Sequence, residues 1–362
     1  MAAPLPLAEV AAMRAAAQSL LDGPSRAPVE TVRAMLALQA QDFAGGLWAV
    51  AVRDRAGEMR ADLEAALGTG AVVRSWPMRG TLHLTTPADL RMLLAITSTR
   101  AIAAARGRRT QLGLEEADLS RGRELVVELL AGGVASTRTD LMAAIAERGL
   151  DTTGQRAAHL LGWLSQTGVT CLGPMLGKQQ GVVLLDEWAP GVAPEREDAL
   201  REATLRYVRG HGPATALDLA WWLGLTKTEA TRALGEAAAQ LEEVPTETGP
   251  MWFDPASAAG DPVAVAAARE AVRLLPPFDE LLLGYTNRVA SLDPEFTNRV
   301  TPGSNGLFRP IVSIGGRVEG LWRVERSRPP RVELDPFTGI APRWTDALEA
   351  AAESHLRFAA TR

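Results

Sequence analysis

Ser136-Thr137-Arg138-Thr139-Asp140, with Leu141 to Arg148 behind it, is the stretch on which the fold turns. A hydroxyl residue followed closely by an acid marks a helix start. Its oxygen takes up a backbone N–H that the first helical turn leaves unpartnered, so the spacing predicts a helix over 141–148. Upstream, Arg121 to Leu130 reads as a helix. Downstream, Thr152-Thr153 reads as the cap of a third helix over 155–166, in which Ala158, Leu161 and Leu164 recur at helical spacing. Val169-Thr170-Cys171-Leu172 and Gly181-Val182-Val183-Leu184-Leu185 flank a Gly/Pro-rich turn and read as a β-hairpin. Three helices and a hairpin in that order is the winged helix-turn-helix plan.

The plan recurs after a Pro/Glu-rich linker around 190–197. Leu200 to Arg209 is a helix, Thr215 caps a short helix closed by Gly224, Thr226 caps a third, and 241–253 supplies a hairpin with Thr248-Gly249-Pro250 at its tip. The N-terminal segment fits more loosely. Leu5 to Leu20 is a helix, Asp22-Gly23-Pro24 a turn, and Pro28 starts a helix that runs toward Gln39. Two strands at Val72–Trp76 and Gly80–Leu84 join around Pro77, and Pro87 to Arg100 is a helix. From Leu274 the character becomes β-rich, with a hairpin about Gly315-Gly316, a strand at Val332-Glu333-Leu334 and a last helix over 346–358. The expected fold class is α+β, mainly α: three tandem winged helix-turn-helix domains, 1–115, 116–192 and 193–272, and a C-terminal β-rich region, 273–362.

With 362 residues the chain is long enough for several modules, and 47% hydrophobic against 22% charged residues is a globular balance. Cys171 is the only cysteine, which excludes a disulfide framework. The four histidines, His83, His159, His211 and His355, are far apart, so neither a metal nor another cofactor is expected. No signal peptide or membrane-length apolar run is read, and a cytoplasmic protein is the expectation. A net charge of −5 argues against indiscriminate nucleic-acid binding but leaves room for local basic faces. Arg100, Arg106, Arg108 and Arg109 form one cluster; Arg323, Arg326, Arg328 and Arg331 form another.

Between Met35-Leu36-Ala37-Leu38 and Gly45-Gly46, which reads as a helix stop, lie Gln39 and Gln41, separated by Ala40. On a continuous helix they would point about 200° apart and could share no target. If the helix unwinds near Ala40, both amides can turn toward one pocket. Each carries a donor and an acceptor and could hold a water or a sugar without being an acid or a base. Solvent-facing helix-end glutamines are the plain alternative.

Four segments in this order carry a resemblance. They are Leu38-Gln39-Ala40-Gln41, Met78-Arg79-Gly80-Thr81-Leu82-His83, Leu275-Pro276-Pro277-Phe278-Asp279, and Asn305-Gly306-Leu307-Phe308-Arg309-Pro310 with Trp322-Arg323. With the tandem winged helices, the chain resembles the AlkZ/YcaQ family of bacterial winged-helix DNA glycosylases over nearly its whole length. The resemblance implies a monofunctional enzyme that removes N7-alkylated purines from double-stranded DNA, in some members unhooking interstrand crosslinks, and a monomer is expected. The family's Gln–apolar–Gln signature falls on Gln39 and Gln41, which makes the chain AlkZ-like. Asp42 directly afterwards is a departure and would face the sugar if the register shifted.

Other residues carry two readings each. His83 is a candidate proton carrier or a structural histidine at a strand end. Arg79 and the Arg100, Arg106, Arg108, Arg109 cluster are candidate phosphate contacts or solvated surface. The Gly315-Gly316 hairpin, with Arg317 beside it, could probe a groove or be plain structure. Trp76, Trp221 and Trp222 could stack on bases or belong to the core. A non-catalytic winged-helix DNA-binding or regulatory protein is the alternative to the enzyme.

Overall fold

The computed structural model describes residues 3–22, 26–54, 60–303, 306–325 and 327–361. Gly23 and Pro24 of the expected turn, Asn305 of the fourth segment and Arg326 of the second arginine cluster lie outside the described residues. The chain divides into two compact units, Met1–Asp62 with Arg201–Arg362, and Leu63–Leu200.

The first unit opens with α1 (Leu7–Ala17), α2 (Pro28–Met35), β1 (Leu38–Gln39) and α3 (Phe43–Ala51). Most of α4 (Arg60–Gly68) belongs to the second unit, followed by β2 (Val73–Met78), β3 (Thr81–Thr85), α5 (Pro87–Gln111), α6 (Glu116–Leu130), α7 (Arg138–Glu147), α8 (Arg156–Gln166), β4 (Thr170–Leu176), β5 (Gln179–Leu184) and α9 (Leu185–Trp188). The chain then enters α10 (Arg196–His211), and the first unit continues with α11 (Ala216–Leu223), α12 (Lys227–Ala237), β6 (Glu242–Thr246), β7 (Gly249–Phe253), α13 (Pro262–Arg269), β8 (Val272–Leu275) and α14 (Glu280–Leu283). It closes with α15 (Thr297–Val300), β9 (Ile311–Ile314), β10 (Arg317–Glu325), β11 (Arg331–Pro336) and α16 (Thr345–Ala360). The architecture mixes helix and sheet, with helix in the majority.

In the second unit, Thr137 caps α7 as its sequence predicts, its hydroxyl accepting from the Asp140 N–H at 3.1 Å. The Thr152-Thr153 cap is not found. α8 starts from Gln155 without a side-chain cap, because the Thr152 hydroxyl donates instead to the Met142 carbonyl at 3.1 Å. Leu125, Leu141, Ile145, Leu160, Leu164 and Val182 bring α6, α7, α8 and β5 together in one core. Within the unit the strands run β3-β2-β4-β5, antiparallel throughout, and Arg74 of β2 pairs with Leu172 of β4. A hairpin read into residues 1–115 therefore shares a sheet with one read into residues 116–192. The strands do not join at Pro77. β2 runs through it at an irregularity between Ser75 and Met78, where a missing N–H is tolerated. The turn is Arg79-Gly80, with φ of 54° and 68°.

In the first unit, α11 and α12 follow their signatures closely. Thr215 and Thr226 form capping boxes with Asp218 and Glu229, and Gly224 ends α11 at φ 65°. The hairpin about Gly315-Gly316 forms, and β8 to β11 make a sheet in the order β11-β10-β9-β8. Its turn is packed inward: a Cβ on Gly316 would strike the carbonyl of Ala11 in α1. That turn is structural and cannot be a free groove probe.

Candidate active site

The helix carrying the chain into the glutamine stretch ends earlier than its sequence suggests. α2 stops at Met35, and Leu36 takes φ 65° and ψ −49°, with the Ala37 N–H donating to the Met35 carbonyl at 2.7 Å. This is a γ-turn of positive φ on a fully buried leucine, a conformation that costs about 1–3 kcal/mol and persists only where packing enforces it. The chain is then extended at Leu38-Gln39, bends at Gln41-Asp42 and enters α3 at Phe43. Unwinding thus begins at Leu36 rather than near Ala40, and Gly45-Gly46 lies inside α3 rather than stopping a helix.

Two glycines in a helix cost roughly 1 kcal/mol each against alanine. Here, packing explains both. A Cβ on Gly46 would lie 2.9 Å from Ala40 Cα and closer still to Ala40 Cβ, and one on Gly45 would lie 2.9 Å from an Asp42 carboxylate oxygen. The Asp42 side chain therefore folds over the first turn of α3. Gln39 is 8% exposed, Ala40 is fully buried, and Gln41 and Asp42 are exposed.

Distant sequence segments converge on α3. Trp48 donates its indole N–H to the Leu274 carbonyl at 2.7 Å, and Trp322 donates to the Leu275 carbonyl at 2.8 Å. Just past α3, Arg53 makes a two-pronged ion pair with Asp279, both contacts at 2.8 Å, and also bonds the Ala49 carbonyl and the Gln18 amide oxygen. Phe278 packs near Phe308 with ring centroids 6.0 Å apart. Three of the four segments that carry the family resemblance thus belong to one packed assembly. The sequence reading took Gly46 only as part of a helix stop and gave Trp48 and Arg53 no part in a site. A Gly-Gly pair inside an apolar helical run was the available signal.

The second unit holds Arg79 and His83. His83 is fully buried; its Nδ1–H donates to the Thr81 carbonyl at 2.9 Å, which leaves Nε2 to accept from Arg79 at 3.0 Å. The imidazole in this arrangement orients the guanidinium. α5 extends beyond Arg100 to Gln111, so the arginine cluster lies along a single helix. At about 100° per residue, positions 100, 106, 108 and 109 point near 0°, 240°, 80° and 180°, all around it. Arg100, Arg106 and Arg108 are exposed. Arg108 bonds Gln155 and Gln111, while Arg109 is buried on the Ile102 carbonyl, and burial lowers its pKa. In the first unit, half-buried Arg317 donates to the Ala290 carbonyl at 3.1 Å. Trp222 is fully buried and bonds Glu280, Trp76 packs on the core, and Trp221 is 44% exposed. Burial pushes the Cys171 thiol up to about 12, which rules it out as a nucleophile near neutral pH.

A profile of the family described as "DNA glycosylase AlkZ-like" matches residues 32–358. The interstrand DNA cross-link repair glycosylase of Streptomyces sahachiroi is 27% identical over 311 residues, covering 82% of this chain and 81% of that protein. The solved structure of the S. sahachiroi DNA glycosylase AlkZ superposes with a TM-score of 0.84 at 24% identity, covering 99% of this chain and 98% of that one. The match begins within α2 and takes in the glutamine segment, α3 and the segments packed on it, so this chain belongs to the AlkZ-like family of DNA glycosylases.

Proposed function

We propose that this glycosylase is monofunctional and hydrolyses the N-glycosidic bond of cationic N7-alkylpurines in duplex DNA, with Gln39 and Gln41 positioning the attacking water. Bulky or crosslinked adducts fall within this reading, since the relative from S. sahachiroi is named for interstrand cross-link repair. The observation that carries it is the Gln39–Gln41 segment, released from helical geometry by the γ-turn at Leu36 and held against α3. Off the helix, the two amides are no longer held about 200° apart.

The chemistry suits two amides. N7-alkylation makes the base a cation, which leaves as a neutral molecule and needs no general acid. As the bond breaks, positive charge builds on the sugar. A glutamine carbonyl can face that charge and orient water without itself titrating, and groups so placed are typically worth a few kcal/mol each. Asp42, folded over Gly45, is the weaker candidate for this place. His83 serves Arg79 in this scheme, and Arg79, Arg100 and Arg108 supply phosphate contacts. We read 1–115, 116–192 and 193–272 as three winged-helix modules presenting the duplex, with 273–362 bracing α3.

Base release from duplex DNA carrying N7-methylguanine tests the proposal. Gln39→Ala and Gln41→Ala should each slow release by roughly 100-fold. Asp42→Ala should do little. Wild-type rates in both glutamine variants would remove the amides from the mechanism, and loss only with Asp42→Ala would move the site by one residue.

A further inference from the structure

We propose that Gly46 is a positioning residue for the Gln39-Ala40-Gln41 segment: by having no side chain, it lets α3 close onto the backbone of Ala40 and fixes the path that presents the two glutamines. The inference rests on the reading of those glutamines as the water-positioning pair.

Gly46 is buried as the fourth residue of α3, and its missing Cβ would lie 2.9 Å from Ala40 Cα and closer still to Ala40 Cβ. Backbone cannot swing aside as a flexible side chain can, so any residue larger than glycine at 46 must displace the segment or the helix. The helix is the less movable partner. Trp48 is tied to the Leu274 carbonyl, and Arg53, just beyond its end, is tied to Asp279. At the other end of the segment, the γ-turn at Leu36 fixes where the chain leaves α2. With both ends fixed, displacement falls on residues 37–42.

The same contact explains the middle residue. Ala40 is fully buried and its Cβ points at Gly46, so position 40 faces the helix and has no room for a larger side chain. Gly46 and Ala40 are therefore a matched pair, and relieving one should compensate for enlarging the other.

The experiment compares wild type, Gly46→Ala, the double variant Ala40→Gly/Gly46→Ala, Gln39→Ala, Gln41→Ala and, as control, Gly68→Ala, a helical glycine with nothing within 4 Å of a built Cβ. Three quantities are read: single-turnover release from a duplex bearing one N7-methylguanine, affinity for that duplex, and backbone hydrogen exchange across 37–44. Gly46→Ala should slow the chemical step by about 100-fold with affinity nearly unchanged, and exchange across 37–44 should rise. The double variant should regain about tenfold in rate together with exchange protection. Gly68→Ala should behave as wild type. A Gly46→Ala enzyme with normal rate and exchange would overturn the inference, as would a double variant no better than the single one. Should Gly46→Ala fail to fold, recovery of folding in the double variant decides the point in the same way. If both glutamine variants keep the wild-type rate, the catalytic reading fails, and hydrogen exchange alone judges whether Gly46 holds the segment.

Discussion

Arg53 and Asp279 have side chains 0% and 1% exposed and face each other with two contacts of 2.8 Å. A buried pair of this kind adds little over a well-packed apolar pair, but removing one member strands the other charge and costs about 3–5 kcal/mol. Asp279 also accepts the Leu281 N–H at 2.9 Å, so Asp279→Asn should lower the melting temperature by roughly 10 °C. The exposed pair Arg357–Glu353, at 66% and 72% exposure, is the contrast. Glu353→Gln should shift the melt by no more than about 1–2 °C. Equal shifts in calorimetry would show that burial is not what gives the Arg53 pair its weight.

At the scale of elements, α16 braces α3 from outside through an aromatic sandwich. The His355 ring meets Trp48 at 4.8 Å and Trp322 at 4.6 Å, both edge-on, and Phe358 meets Trp48 at 5.1 Å. Burial among these rings lowers the His355 pKa to about 4, so the imidazole is neutral at pH 7. A folded-state pKa below the ordinary value of about 6.5 contributes stability that is fully present above pH 6.5. That contribution is lost as pH falls toward 4, and it amounts to about 3 kcal/mol. Melting curves between pH 7 and 4.5 should show His355→Gln losing less stability on acidification than wild type. Parallel curves for the two proteins would exclude His355 as a source of acid sensitivity. The helices also show why local patterns read unevenly. Thr137, Thr215 and Thr226 cap where expected because each cap is a contact across three residues. Thr152 does not, because a carbonyl ten residues away takes its hydroxyl.

For the whole molecule, a net charge of −5 means that DNA must be met by local positive faces rather than by the general field. Arg100 and Arg108 point within about 80° of each other on α5, whereas Arg106 points away. One duplex cannot lie on both sides. Each phosphate contact contributes a slope of about 0.9 in log affinity against log salt. The Arg100→Ala/Arg108→Ala pair should therefore reduce the slope by about 2, with Arg106→Ala leaving it unchanged. A slope indifferent to the double change would assign α5 to solvent.

Family membership and much of the order of helices and hairpins were legible in the residues, since caps, apolar periods and short motifs are local. The sequence by itself determined where most helices and strands would form and offered Gln39 and Gln41 as candidates for the site. It did not determine where α2 would let go. A buried leucine has no propensity for φ 65°; only the surrounding packing imposes it. Nor could it tell that Gly45-Gly46 would lie within a helix. The reason for those glycines is the nearness of Ala40 and Asp42 to α3, set by Trp48 and Arg53 bonding to partners more than two hundred positions away. Tertiary packing, which carries the energy of long-range burial and paired charge, decided the path on which the two amides are presented.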